Sequence, residues 1–326
     1  NPVPPNGYFR ESCGWEVPVD ITNRPAGTVL SQGLNSNSSF RWANPSAPNE
    51  FFIIESRKRV GRNAALPDEG LMIWHIDTNG WNGNQQMTSD QHYYASLEQA
   101  DGQYHLEHYV NYGDSNDLFD GVTSTSFSAT TVPDSNWWSG YESGLTITNI
   151  SPLTANSTAM SFTLGGAPVR PLNLAMTLRN DGAPGDNNVH PTIDMKNQET
   201  TSLDMSKYNI VYYLYEPNLT VNNATWDTYY CNRTGNVAAT LSQLASPNTS
   251  GTYKADKQLA FSFPAGTMLP AGETLHLEGA LHSLNWQYFF NESDDWSHAT
   301  NGRTEFVSVV DKATGKVVFG KSPVTN

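Results

Sequence analysis

Short runs of aromatic and β-branched residues, each ended by Gly, Pro, Asn or Asp, recur along the chain and leave little room for long helices. Such runs are typical of β-strands. In the first half they cover residues 51–54, 70–76, 145–150 and 159–164. In the second half they cover residues 172–178, 190–195, 208–215, 258–263, 274–281, 304–310 and 316–319. The pattern predicts an all-β fold, with a β-sandwich in the second half.

A Gly- and Pro-rich stretch, GGAPVRP at residues 165–171, interrupts this pattern. Two glycines and two prolines so close together cannot continue a strand. At roughly 100–200 residues per domain, the 326 residues are enough for two domains. We therefore expect a β-rich N-terminal domain over residues 1–165, a linker over 166–171 and a second domain over 172–326.

The charge of the chain argues against some partners. The formal net charge is −14, and most of the acidic excess lies in the first half. An acidic surface repels nucleic acid and anionic membranes, so neither is an expected partner. No run of about 18 apolar residues occurs, so no membrane span is expected. The low charge content and abundant Asn, Ser, Thr and Trp are typical of a secreted, extracellular β-protein.

The chain has two cysteines, Cys13 and Cys231, one in each expected domain. A disulfide between them is possible, but two separate thiols are the favoured interpretation.

The second half contains a series of short motifs in a characteristic order. They are NVHPTI (188–193), LDMSK (203–207), YY (212–213), YC (230–231), NW (285–286), DDWS (294–297) and VFGKSP (318–323). This order resembles family 3 carbohydrate-binding modules over essentially all of residues 172–324. The resemblance implies a jelly-roll β-sandwich that binds polysaccharide, typically cellulose or a related glycan, with one structural calcium.

The resemblance implies a sugar-binding surface that includes Trp286, because an exposed aromatic ring can stack on the flat face of a sugar. The alternative is that Trp286 is a core or edge aromatic. Three positions depart from the family pattern for crystalline cellulose. Asn232 and Arg233, which we also take as candidate sugar-binding residues, stand where Asp-His is usual, and Ala280 stands where an Arg is usual. A softer glycan, or a structural role without sugar binding, therefore becomes credible.

The same resemblance implies Ca²⁺ as a structural cofactor. The predicted ligands are Tyr215, Glu216, Asn291, Asp294 and Asp295. Calcium takes about six to eight oxygen ligands and accepts carbonyls and water, so two loop segments can supply a site.

A second calcium site is a further hypothesis for the first domain. Asp114 and Asp117, with Asp120 just after them, lie in an acidic loop that can hold a cation. A solvated acidic turn is the alternative interpretation.

The first half carries a different set of motifs. They are FFIIESR (51–57), ALPDEGLMIWHID (65–77), LEQADG (97–102), GDSNDLF (113–119) and SGLTITNIS (143–151). This series is similar to the C-terminal part of the immune inhibitor A family of secreted metallopeptidases.

The His-Glu-x-x-His helix that such peptidases need for zinc is absent from the sequence. The segment HLEH at 105–108 has its Glu in the wrong place, so we expect no zinc and no catalytic residues in this chain.

Three hypotheses follow from the sequence. The first is a non-catalytic protein whose second domain anchors a metallopeptidase-like polypeptide to polysaccharide. The second is one piece of a processed zinc metallopeptidase whose catalytic piece lies upstream and is a partner. The third is a structural or interaction module without glycan binding.

Overall fold

The computed structural model describes residues 3–83, 92–181, 185–298 and 304–323. It divides into two compact units, Asn1–Arg170 and Pro171–Thr325, so the predicted linker at 166–171 straddles the boundary. Val169 is buried within the first unit. In both units, strands are the main regular secondary structure, which confirms the all-β prediction. Cys13 and Cys231 are free thiols, and no helix in the described part of the chain is long and apolar enough to cross a membrane.

In its described residues, the first unit contains one short α-helix, one 3-10 turn and eight strands. They are α1 (Gly7–Ser12), β1 (Val19–Asp20), β2 (Val29–Gly33), β3 (Phe40–Ala43), β4 (Glu50–Arg57), a turn at Gly61–Asn63, β5 (Gly70–Asp77), β6 (Ala95–Leu97), β7 (Thr146–Thr148) and β8 (Ala159–Gly165). One sheet has the order β1-β3-β4-β5-β6 and a second has the order β2-β8-β7. All pairs are antiparallel except β1 with β3.

The core of the first unit contains side chains from both of these sheets. Phe52 and Ile54 from β4 belong to the same buried cluster as Met160 and Phe162 from β8. Strand β4 is buried along its whole length, and β5 is buried except at the half-buried Trp74, because both faces of these strands are covered. A strand buried on both faces reads as a continuous apolar run, which is why the sequence revealed these two strands.

The second unit contains twelve strands and four 3-10 turns among its described residues. The strands are β9 (Leu174–Asn180), β10 (Asn188–Val189), β11 (Pro191–Asn197), β12 (Leu203–Asp204), β13 (Tyr208–Leu214), β14 (Ala224–Cys231), β15 (Ala238–Asn248), β16 (Ala255–Ser262), β17 (Met268–Leu269), β18 (Thr274–Ser283), β19 (Ser308–Asp311) and β20 (Val317–Phe319). The turns lie at Met205–Lys207, Val221–Asn223, Glu292–Asp294 and Thr304–Phe306.

These strands form two main antiparallel sheets and one small one. In the first, β14 pairs with one edge of β18, and β10, β11 and β9 continue the sheet on the other side. The second has the order β15-β16-β13-β19-β20, and β12 pairs with β17. The two main sheets contact each other: the Trp226 ring from β14 lies 4.7 Å from the Phe261 ring of β16. This arrangement confirms the predicted β-sandwich.

Two long strands of the second unit, β14 and β15, were missed by the sequence pattern. Their residues are mostly half-buried or exposed, without a strict alternation of apolar and polar side chains. Edge strands of this kind lack the period-two signal on which strand prediction depends. The omission matters for function, because β14 supplies part of the most aromatic exposed surface of the second unit.

Candidate functional site

The outward face of the first main sheet in the second unit is arranged around strand β18. Leu275, Leu277 and Leu281 of this strand are buried in the sandwich. Among the residues between them, His276 and Glu278 are only partly buried. Because successive side chains of a strand point to opposite faces, these residues lie on the outward face of the sheet.

Trp286 lies in the turn that follows β18. Its backbone has a φ of +58°, in the left-handed region that a bulky residue rarely adopts. The buried Ser283 stabilises this turn, because its Oγ accepts hydrogen bonds from the backbone N–H groups of Gln287 and Tyr288, both at 3.1 Å. The Trp286 ring stacks on the His282 ring with 3.5 Å between centroids and 13° between planes. The side chain is nevertheless 42% exposed, so it is not a core aromatic.

Two tyrosines of β14 extend this surface. Tyr229 and Tyr230 are 54% and 55% exposed, and the register of β14 against β18 shifts between Thr228 and Tyr230. A bulge of this kind changes the direction in which side chains project. The Tyr229 ring lies edge-on to His190 at 5.3 Å, and the Tyr230 ring lies 5.7 Å from His276.

We define the aromatic face as Tyr229, Tyr230, His276, His282 and Trp286. Carboxylates lie beside these rings: an Asp227 oxygen is 3.1 Å from His282 Nε2, and an Asp194 oxygen is 2.6 Å from His276 Nδ1. Exposed rings next to polar groups suit a sugar, whose flat C–H faces stack on rings while its hydroxyls form hydrogen bonds. Of these five residues, only Trp286 was predicted from the sequence. The YY pair in the segment 225–231, TWDTYYC, was the available signal for the others.

Asn232 and Arg233 lie next to the aromatic face, but their side chains bind their own chain. Asn232 Nδ2 donates to the Thr274 carbonyl at 3.0 Å, and Asn232 Oδ1 accepts from the His276 N–H at 2.9 Å. The Arg233 guanidinium donates to the same Thr274 carbonyl at 2.9 Å and pairs with Glu273 at 3.1 Å. Both side chains therefore hold the end of β14 against β18.

Comparison with known proteins addresses the second unit. The family model described as "Cellulose binding domain" matches residues 175–320. This segment is similar to that family, and the match covers less than half of the chain. It includes the whole aromatic face and leaves the first unit outside the match.

Curated relatives match a similar portion of the chain. The cellulosomal-scaffolding protein B of Acetivibrio thermocellus is 26% identical over 151 residues, which are 42% of this chain and 18% of that protein. Endoglucanase 5 of Pectobacterium carotovorum subsp. carotovorum is 25% identical over 147 residues, 44% of this chain and 28% of that protein. The chain therefore spans less than a third of the length of these relatives.

Solved structures also resemble this part of the chain. A family 3a carbohydrate-binding module from the cipA scaffolding of Clostridium thermocellum has 23% identity and a TM-score of 0.38, covering 45% of this chain and all of that one (100%). The CBM3b of the scaffoldin subunit ScaA of Acetivibrio cellulolyticus has 20% identity and a TM-score of 0.40, covering 46% of this chain and 97% of that one.

The predicted calcium ligands of the second unit lie close together, but most of their side chains already have protein partners. The Glu216 carboxylate accepts from the Asn291 N–H at 2.6 Å and from the Tyr288 hydroxyl at 2.8 Å. The Asn291 amide donates to Asp294 at 2.9 Å, and the other Asp294 oxygen pairs with Lys254 at 3.2 Å. In this arrangement, protein donors occupy these three predicted ligand side chains.

Asp295 does fit a cation. It is fully buried, its Oδ1 accepts from the Tyr215 N–H at 2.6 Å, and its Oδ2 has no hydrogen-bond partner. Burial raises the pKa of Asp295 well above its usual range, and the carboxylates of Glu216, Glu292 and Asp294 raise it further.

Glu292, which the sequence analysis did not single out, belongs to the same cluster. It also has a buried oxygen without a partner, and burial raises its pKa to about 7. A buried ammonium, Lys257 Nζ, lies nearby, 2.6 Å from both the Glu216 carbonyl and an Asp256 oxygen. The calcium prediction therefore depends on Asp295 and neighbouring oxygens more than on the full predicted set.

In the first unit, Asp114 and Asp117 come together as predicted, and Asp101 joins them. Asp120 lies apart from this group, because its Oδ1 accepts hydrogen bonds from the backbone N–H groups of residues 122, 123 and 124. The segment 105–108 forms turns rather than a helix, and it belongs to no metal-ligating group found among the described residues.

A cavity of about 480 Å³ in the first unit brings buried acids and aromatic rings together. The His75 imidazole is buried there, 3.0 Å from a Glu50 oxygen, and stacks on Trp138 with 4.3 Å between centroids. Burial alone lowers the pKa of His75, but hydrogen bonds to Glu50 and Glu98 raise it overall. These contacts indicate a structural role for this histidine.

Glu107 lines the same cavity. Burial raises its pKa to about 6, although the Ser96 hydroxyl donates to it at 2.5 Å and Gln99 Nε2 donates to it at 2.8 Å. The nearby charge of Glu98 also raises this pKa. A carboxyl with a pKa in this range can exchange a proton near neutral pH.

The raised pKa of Glu107 gives a pH prediction. The folded chain holds this proton more tightly than the unfolded chain, whose glutamates titrate near 4.5. The stability that the protonated Glu107 carboxyl contributes to the fold is therefore present below about pH 4.5 and is lost as the pH rises through about 6. In Glu107→Gln, thermal unfolding followed across pH 4–7 should show a smaller fall in Tm over that interval. Glu273→Gln, at an exposed residue, is the control. An identical fall in Tm in the unmutated chain, in Glu107→Gln and in Glu273→Gln would contradict the assignment of the raised pKa to Glu107.

Proposed function

We propose that the second unit binds polysaccharide through the aromatic face. The proposal depends on one observation above all: three exposed aromatic rings, at positions 229, 230 and 286, lie on or beside one sheet of a domain that matches the cellulose binding family. A rigid antiparallel sheet holds such rings in place before the ligand arrives, which lowers the entropic cost of binding. The scaffolding relatives are named for cellulosomes, which supports cellulose or a related β-glucan as the ligand class.

Single glycan chains or soluble β-glucans are the favoured ligands over crystalline cellulose. Ala280, where the family usually has an Arg, is fully buried and adds no polar group to the surface. The side chains of Asn232 and Arg233 are bonded to Thr274 instead of being free for sugar hydroxyls. The aromatic rings therefore supply most of the contact area, which favours stacking over a wide polar strip.

Removal of the aromatic rings should weaken glycan binding. Trp286→Ala and Tyr230→Ala should each reduce affinity for soluble β-glucan about tenfold, since losing one stacking ring costs on the order of 1–2 kcal/mol. Affinity electrophoresis in gels with hydroxyethylcellulose, xylan or mixed-linkage β-glucan measures this directly. Trp15→Ala is the matched control, because Trp15 is a 67% exposed tryptophan of the first unit.

We further propose that Asp295 binds a structural Ca²⁺ in the second unit. The buried Asp295 Oδ2 without a donor supports this, because burying an unpaired carboxylate is costly and a bound cation would offset that cost. The ion would act on stability and on the position of the 291–295 loop, and it would take no part in sugar chemistry.

Chelation tests this calcium proposal. EDTA should lower the melting temperature of the chain relative to excess Ca²⁺, since a ligand present at about 100 times its Kd stabilises by about 2.7 kcal/mol. The Ca²⁺-dependent shift should be smaller in Asp295→Asn, which keeps the Oδ1 acceptor for the Tyr215 N–H. An equal shift in both proteins would count against Asp295 as the ligand.

We also propose that the second unit, acting outside the cell, holds the metallopeptidase-like first unit at a polysaccharide surface. The motifs of residues 51–151 and their presence in one chain with the matched domain support this idea. A variant hypothesis is that the first unit associates with an upstream zinc-bearing piece of the same polypeptide. Mass spectrometry of the native protein should then find a co-purifying chain or segment with His-Glu-x-x-His, and its absence would contradict the peptidase link.

A further inference from the structure

Three aspartates of the first unit are held together by backbone hydrogen bonds. The Ala100 N–H donates to the Asp117 carbonyl at 2.9 Å, which places Asp101 beside Asp117. The Asp114 N–H donates to Asp117 Oδ2 at 2.7 Å, which folds the 113–117 loop back on itself. The geometry of the cluster is therefore set by the main chain.

The carboxylate oxygens of this cluster have the spacing of a calcium site. One oxygen from each of Asp101, Asp114 and Asp117 lies within 4.8 Å of the other two. Oxygens that bind one Ca²⁺ at about 2.3–2.6 Å lie no more than about 5 Å apart. The spacing thus allows all three oxygens to contact a single ion without rearrangement of the loop.

Two oxygens in this cluster have no hydrogen-bond donor. Asp117 is only 2% exposed, and its Oδ1 has no partner, while the buried Oδ2 of Asp101 also has none. Buried polar atoms nearly always have a partner, so two orphan acceptors from neighbouring aspartates indicate that a cation belongs between them.

The local charge supports the same conclusion. Burial raises the pKa of Asp117, the hydrogen bond from the Asp114 N–H opposes this, and the charges of Asp114, Asp101 and Asp68 raise it again. No Lys or Arg among the described residues forms an ion pair with the three aspartates. The neighbouring contacts are from Asn111 Nδ2, 2.6 Å from Asp114 Oδ2, and from His105 Nδ1, 3.6 Å from the same oxygen.

We propose that Asp101, Asp114 and Asp117 form a Ca²⁺ site in the first unit, independent of glycan binding and of Asp295. The donor set consists only of oxygens, which favours a hard cation over zinc. Asp114 is 43% exposed at its side chain, so water can reach the ion and complete its coordination. Residues 117–119 also connect to β5, because Leu71 and Phe119 exchange two backbone hydrogen bonds. The ion would therefore fix the 113–119 loop against the sheet.

The test uses the full chain in an Asp295→Asn background, which removes the other proposed calcium ligand. Isothermal titration with Ca²⁺ after EDTA treatment should show one site. Adding Asp117→Asn should weaken binding at least tenfold, because affinity in such sites follows the number of charged ligands. Adding Asp120→Asn should leave it unchanged, since Asp120 lies in the same loop but binds only backbone N–H groups and the Thr123 hydroxyl.

A second measurement covers the case in which the Asp117 variant folds poorly. In the unmutated chain, Ca²⁺ should slow hydrogen exchange of the amides in residues 113–119 relative to EDTA. The proposal would be overturned if the Asp295→Asn protein bound no Ca²⁺. It would also be overturned if adding Asp117→Asn left Ca²⁺ binding unchanged in a folded protein. Hydrogen exchange in the 113–119 loop that does not respond to Ca²⁺ would overturn it as well.

Discussion

The hydrogen-bond ladders on both edges of β18 determine how the second unit presents its surface. One edge pairs with β14 and the other with β10 and β11, so this strand lies inside the sheet. Its leucines anchor it in the sandwich. This leaves His276 on the outward face beside the tyrosines of β14, while His282 is buried under the Trp286 ring. The turn that holds Trp286 begins where β18 ends, at Ser283. The aromatic face therefore depends on the register of one strand.

The two units bury different carboxyl groups, but the same physical effects act on the pKa of these groups in both units. In each, burial and neighbouring acids raise carboxyl pKa values, as for Glu107 in the first unit and Glu292 in the second. Buried carboxylates need protons, donors or cations to offset their lost hydration. Asp101, Asp117 and Asp295 each have a buried oxygen without a hydrogen-bond partner, and there we propose that a cation supplies that compensation. Glu107 instead has donors from Ser96 and Gln99.

The sequence predicted the strands that carry long apolar runs. It missed short strands such as the buried β6, and it missed the largely exposed β14 and β15. Strand β5 was evident as an apolar run, whereas β14 has no regular alternation. Trp286 was predicted through family resemblance, but the stack on His282 and the bulge at Tyr229 depend on strand pairing and on a positive φ. In the same way, Asp114 and Asp117 share one loop, whereas Asp101 joins them only through tertiary contact. Residues adjacent in space but distant in sequence leave no local pattern.

The central claim is that the outward face formed by β14, β18 and the turn after it is the surface that contacts polysaccharide. Hydroxyl-radical footprinting read by mass spectrometry tests this claim in the unmutated chain, with and without soluble β-glucan. The account predicts protection of Tyr229, Tyr230 and Trp286, with Trp15 and the exposed Tyr112 unchanged as internal controls. Glycan binding that protects other residues and leaves these three as reactive as before would contradict it.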